Sequence, residues 1–165
     1  MANFGNIPVY ALRFMVIYFI VTNAIAMALF PGGTLFHPEL EIYSFSENFF
    51  SDLGITFTKD GTQNYLSSFL FNSSLLVLGL CAVTHIFVPK LFKENKKSYI
   101  LSIIAAILFV IAGLSFIGVG LTPADIYFEE HVWFVIFAFN AQTIGVLFMT
   151  IAFLLSKVSN KYTIV

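Results

Sequence analysis

The sequence predicts an all-α, polytopic membrane protein: a four-transmembrane-helix bundle, N-in and C-in, with a short interfacial helix in the first outer loop. Three observations carry this. Residues 9–30, 66–88, 99–121 and 132–155 are apolar stretches, each longer than the roughly 20 residues an α-helix needs to cross a hydrocarbon core of about 30 Å. Hydrophobic residues make up 59% of the chain and charged residues 10%, with a mean hydropathy of +0.91, which excludes a soluble globular domain and a disordered one. Charge is also sided. Between the first two spans and between the last two lie Glu39, Glu41, Glu47, Asp52, Asp60, Asp125, Glu129 and Glu130, with Lys59 the only base there. Arg13, Lys90, Lys93, Lys96, Lys97, Lys157 and Lys161 fall on the other side. Short lysine-rich loops stay cytoplasmic, so the two acidic loops face outward. The setting is a cytoplasmic (inner) membrane crossed several times. Residues 1–165 read as a single membrane domain, because the spans leave no length for a separate soluble one.

The first span opens near Arg13, whose long side chain can snorkel back to the interface. Ala26-Met27-Ala28 imitates a signal-peptide cleavage site, but the apolar run before it is longer than a signal core. Pro31-Gly32-Gly33 ends the helix. In the outer loop that follows, Ser44 and Glu47 have the spacing of a capping box and Gly54 supplies a stop. A two-turn helix over about 45–53 is expected, with Phe45, Phe49 and Leu53 on one stripe, lying on the membrane or covering the bundle mouth as a lid. In the third loop, Thr122 reads as an N-cap and Pro123 as a first helical residue. The last helix is therefore expected to begin near Pro123, with His131 close to its entry into lipid. Trp133, Tyr127 and Tyr65 fit an outer aromatic belt and Tyr99 an inner one.

Amides inside spans need a reason. Asn23 and Asn72 each lie about 12 Å below the outer interface, at 1.5 Å per helical residue. Asn64, Ser68 and Asn72 form one stripe on the second helix. On the fourth, His131, Ala138, Gln142, Gly145 and Met149 share a face, while Asn140 points nearly the opposite way. Ser102, Ala105, Ala106, Ala112 and Gly113 give the third helix a small-residue strip for close approach. The amides either fix register between helices or line a polar pocket opening outward beneath the lid; both readings are open. The 21 phenylalanines fit an acyl-chain pocket as well as core filler.

Several chemistries are excluded. The single cysteine, Cys81, rules out a thiol–disulfide relay and reads as a packing residue. His37, His85 and His131 lie at different depths, which argues against a haem or a three-histidine zinc site. The spans hold no lysine for a Schiff base, and the lack of carboxylates within them weakens an ion path without excluding it. No basic surface is large enough for nucleic acid, and no cofactor is expected. What remains is a polar cluster at the outer face: Ser51, Asp52, Asp125, Glu130 and His131, with Glu47 and His37 near it. A carboxylate beside a histidine can serve acid–base chemistry or hold a divalent ion with His131 as one ligand. The same residues can instead cap backbone groups and pair with one another.

Tyr43-Ser44, Ser51-Asp52-Leu53-Gly54, Phe71-Asn72 with Gly79, and Gly118 through Pro123 and Asp125 to His131 follow one another in an order that resembles the domain of unknown function 998 family of prokaryotic integral membrane proteins. More distantly the chain resembles the Frag1/DRAM/Sfk1-like membrane proteins. The resemblance covers about residues 10–150. It implies a helical membrane bundle with its motif residues at the outer face, and points to Ser51, Asp52, Gly54, Asn72, Pro123, Asp125 and His131. Many members are longer, which leaves open whether this bundle closes by association. No activity comes with the family.

Three functions are compatible with these residues. The first is a non-enzymatic membrane protein binding membrane lipids or a protein partner, as a small subunit or homo-oligomer, with Ser51, Asn72, Gln142, Glu47 and Glu130 as ligand contacts. The second is an enzyme acting on an outer-leaflet lipid headgroup, with His131 as general base and Asp52 or Asp125 orienting it or holding a metal. The third is a transporter, weakened by the apolar inner halves of the spans.

Overall fold

The computed structural model describes residues 7–33 and 37–157; Lys161, counted above on the basic side, lies outside them. Four long helices dominate: α1, Ile7–Leu29; α2, Tyr65–Val83; α3, Lys96–Leu121; and α4, Phe128–Leu154. With the 3-10 extension of α2, each is long and apolar enough to cross a membrane. The protein is an integral, multi-pass membrane protein. The helices pack in chain order, α1 on α2, α2 on α3 and α3 on α4, while α1 and α4 share no extended seam among the described residues.

The α2–α3 crossing is set by two glycines. A Cβ on Gly79 would lie 2.4 Å from the Gly113 carbonyl oxygen, and one on Gly113 would lie 2.6 Å from that of Gly79. Only hydrogen fits at either position, so the two backbones touch. Ser102, Ala105, Ala106 and Ala112 extend the same buried surface of α3. On its other flank, α3 receives Phe134 of α4 over Gly118, while Phe109 of α3 fits over Gly145. Tyr18 and Ser73 join α1 to α2 through their hydroxyls at 3.0 Å, and Asn23 Nδ2 donates to Ser74 Oγ at 2.9 Å. Asn23 thus takes the first of the two roles open to it, a bond between helices.

At the basic end, α2 tightens into a 3-10 helix, Thr84–Phe92, that contains Pro89. Proline has no N–H to offer and crowds the carbonyl four residues earlier. Asn95 then serves two helices. Its Oδ1 accepts from Lys97 N at the start of α3, and its Nδ2 donates to the Leu155 carbonyl at the end of α4.

At the acidic end the loops differ in detail from expectation. The short helix of the first loop is a 3-10 helix, Phe50–Gly54, preceded by a turn over 45–47. The Ser44–Glu47 capping box does not form. Ser44 N–H donates to Asn48 Oδ1 at 3.0 Å, and the Glu47 carboxylate lies 3.3 Å from His37 Nε2. Consequently Phe45 and Phe49 are exposed while Leu53 is fully buried, and the expected stripe is broken. In the third loop α4 starts at Phe128 rather than near Pro123. The Pro123 carbonyl accepts from both Ile126 N and Tyr127 N, which closes a separate turn ahead of the helix.

Candidate ligand pocket at the acidic end

The polar stripe of α2 catches a loop backbone. Asn64 Nδ2 donates to the carbonyls of Leu53 (3.2 Å) and Ile55 (2.9 Å). Ser67 Oγ donates to Leu53 O at 3.1 Å, and Ser68 Oγ and Asn72 Nδ2 donate to Gly54 O at 2.8 and 3.0 Å. Four side chains along two turns of α2 thus satisfy three consecutive carbonyls. Irregular backbone can descend into a membrane bundle only where protein donors replace water. Asn72 is therefore a clamp on the loop, not a link between helices. Gly54 is needed because a Cβ there would meet Phe71 Cδ1 at 2.6 Å and Asn72 Oδ1 at 2.8 Å. Phe50 packs edge-on against Phe71, with ring centroids 5.1 Å apart.

Held in this way, the loop places Asp52 beside Asn48. Asp52 Oδ2 accepts from Asn48 Nδ2 at 3.1 Å and from Phe49 N at 3.0 Å, while Asn48 Nδ2 also reaches the Gly33 carbonyl. Burial pushes the Asp52 carboxyl above the usual aspartate range, against the opposing pull of those two donors and of Lys59. Asn48 is the hub that sequence reasoning missed. The available signal was an amide four residues after Ser44, able to donate and accept at once.

Asp125 ties the third loop to the first. Its Oδ2 accepts from Thr56 N and Phe57 N, each at 3.0 Å, and from Thr56 Oγ1. Burial pulls the Asp125 carboxyl upward, but the three donors together outweigh it and hold the group below its ordinary range.

Asp52 and Asp125 border one cavity of about 140 Å³. Its wall includes Glu47, Lys59, Ile55 and Ala124, and the rings of Phe49, Phe57 and Phe128. Carboxylates outnumber the one lysine, and aromatic faces flank them. Such a site suits a cationic group of small size, since ring faces and carboxylates both attract positive charge.

The other sequence candidates are placed differently. His131 is buried and does not border this cavity; its Nδ1 meets the Thr122 carbonyl at 2.7 Å, and its Nε2 is buried with no hydrogen-bond partner. Among the described residues His131 forms no pair with Asp52, Asp125 or any other carboxylate, so the acid–base arrangement expected of it is absent there. Ser51 is half-buried in the 3-10 helix, and Glu130 is exposed in the first turn of α4. Gln142 is half-buried on α4, at mid-helix and well below the cavity. Among the described residues no group of three or more His, Cys, Asp or Glu side chains is arranged to hold a metal ion. No protein family model, curated protein or solved structure matches this chain.

Proposed function

We propose that this protein is a non-enzymatic lipid-binding protein of the cytoplasmic membrane, and that its acidic-end pocket takes the ammonium-bearing headgroup of an outer-leaflet phospholipid. The observation that carries this reading is the shared cavity in which Glu47, Asp52 and Asp125 stand among Phe49, Phe57 and Phe128. The ammonium meets the carboxylates and ring faces, and Lys59 on the same wall suits the neighbouring phosphate. Asp52 supports it further. Burial makes its charge costly, and a bound cation would relieve that cost. The exposed rings of Phe45 and Phe49 fit a loop resting among headgroups. In this reading the chain is a divergent member of the family it resembles, whose motif residues Ser51, Asp52, Gly54 and Asp125 gather around one loop junction.

The test uses the full chain in nanodiscs of mixed phosphatidylethanolamine and phosphatidylglycerol, with co-purifying lipid measured by mass spectrometry. Enrichment of the ethanolamine lipid is expected, and Glu47→Gln with Asp52→Asn should abolish it. Equal retention of both lipids, or enrichment indifferent to these substitutions, would overturn the reading. Conversion of the lipid headgroup during incubation would favour the enzymatic alternative instead.

A further inference from the structure

We infer that α4 is the self-association surface of this protein, and that two copies pair in parallel along it with Asn140 facing Asn140 at mid-membrane. The face of α4 turned toward α3 carries His131, Ala138, Ala141, Gly145, Met149 and Ala152, all buried. On the opposite face Trp133, Ile136, Asn140, Thr143, Leu147, Thr150 and Leu154 follow one another at alternating spacings of three and four, and all are exposed. A stripe spaced in this way has the geometry that the seam of a left-handed helix pair requires. It lies directly away from the protein's own bundle, so nothing within the described chain uses it.

Asn140 says what should cover this face. It stands about 18 Å into α4, at 1.5 Å per residue, near the middle of the span. Its Nδ2 donates to the Ile136 carbonyl of its own helix at 2.8 Å. No other hydrogen bond to the amide is formed among the described residues, leaving a second N–H and the oxygen facing hydrocarbon, where unmet polar groups are costly. A second copy of this chain answers that need without further assumption. Both copies enter the membrane the same way round, so the two-fold axis lies along the membrane normal and their α4 helices run parallel. Equivalent residues then meet at equal depth. An amide is both donor and acceptor, and so complements itself, as do the hydroxyls of Thr143 and Thr150. A central asparagine in such a seam also fixes register. The packing order leaves α4 at one edge of the bundle with no extended seam to α1 among the described residues, so pairing displaces none of that packing.

The test is cysteine cross-linking of the purified full chain in liposomes, on a Cys81→Ala background. Ile136→Cys and Leu147→Cys should form oxidised dimers, whereas Ile17→Cys on the equally exposed face of α1 should not. In parallel, energy transfer between labelled copies should show Asn140→Leu weakening association by about threefold to thirtyfold. Cross-linking at 136 and 147 that does not both exceed that at 17 overturns the proposal, as does unchanged association of Asn140→Leu.

Discussion

Asn72 Nδ2 donates to the carbonyl of Gly54 at 3.0 Å, across 18 residues of sequence, and thereby pins a loop to the side of a membrane helix. Ser68 Oγ shares the same acceptor and is itself 3.1 Å from Asn72 Nδ2. Asn72→Leu should destabilise the protein by about 0.5–1.5 kcal/mol, because it removes one of the two donors to that carbonyl and leaves Ser68 in place. Gly54→Ala should cost a similar amount, about 1–3 kcal/mol, because its methyl has no space. Denaturant unfolding in micelles checks both, and a fully stable Gly54→Ala protein would contradict the close contact described.

The Gly79–Gly113 contact makes a different kind of prediction. Each single alanine substitution must push α2 and α3 apart, at about 1–3 kcal/mol. Once they are apart, the second methyl meets little new resistance. The double variant should therefore cost clearly less than the sum of the singles, with the difference read from a double-mutant cycle. Strict additivity would place the two glycines in separate contacts.

Asp125 should make the protein acid-sensitive. Its carboxyl is held below its ordinary range when folded, so the unfolded chain binds the proton more readily. Its contribution is present above about pH 4 and is lost as pH falls through its folded value. Asp125→Asn should flatten that limb of the stability–pH curve. Thr56→Val, which removes one donor of the three, should cost about 0.5–1.5 kcal/mol at neutral pH.

Asp52 should act with the opposite sign. Its carboxyl is raised by burial when folded, so the folded protein holds the proton more tightly. Stability from this group is greatest below about pH 4 and declines as pH rises through its raised value. Asp52→Asn keeps an acceptor for Phe49 N and should be at least as stable as the parent at neutral pH. Thermal melts across pH 3–8 in the absence of added ethanolamine lipid read this directly; a parent protein gaining stability over the same rise relative to Asp52→Asn would refute it.

Much of the polar chemistry was visible as residue types but not as partners. The stripe Asn64, Ser68 and Asn72 is legible from helical spacing, and so is the small-residue strip on α3. Where they lead is not. The α3 strip meets Gly79, as its composition suggested, because small residues only lower a steric barrier and any neighbouring helix can use that. The α2 stripe meets Leu53, Gly54 and Ile55 instead of a helix. A side-chain amide is satisfied by any carbonyl within reach, and reach is a property of space.

The loops show the same division at finer scale. Ser44 and Glu47 have capping-box spacing, yet His37 takes the Glu47 carboxylate and Asn48 takes the Ser44 amide. Thr122 and Pro123 look like a helix start, yet Pro123 closes a turn and Asp125 leaves its own segment for Thr56 and Phe57. His131 had acidic neighbours in sequence, and its partner is the Thr122 carbonyl.

The sequence by itself determined that there are four spanning helices. A long apolar run has few low-energy arrangements in lipid, and the helix, which satisfies every backbone group internally, is the one available to a single run. The order of packing, the loop clamped on α2, and the gathering of Glu47, Asp52 and Asp125 around one cavity were decided only in the tertiary structure. Each depends on which donors and acceptors come within about 3 Å of one another once the helices have packed.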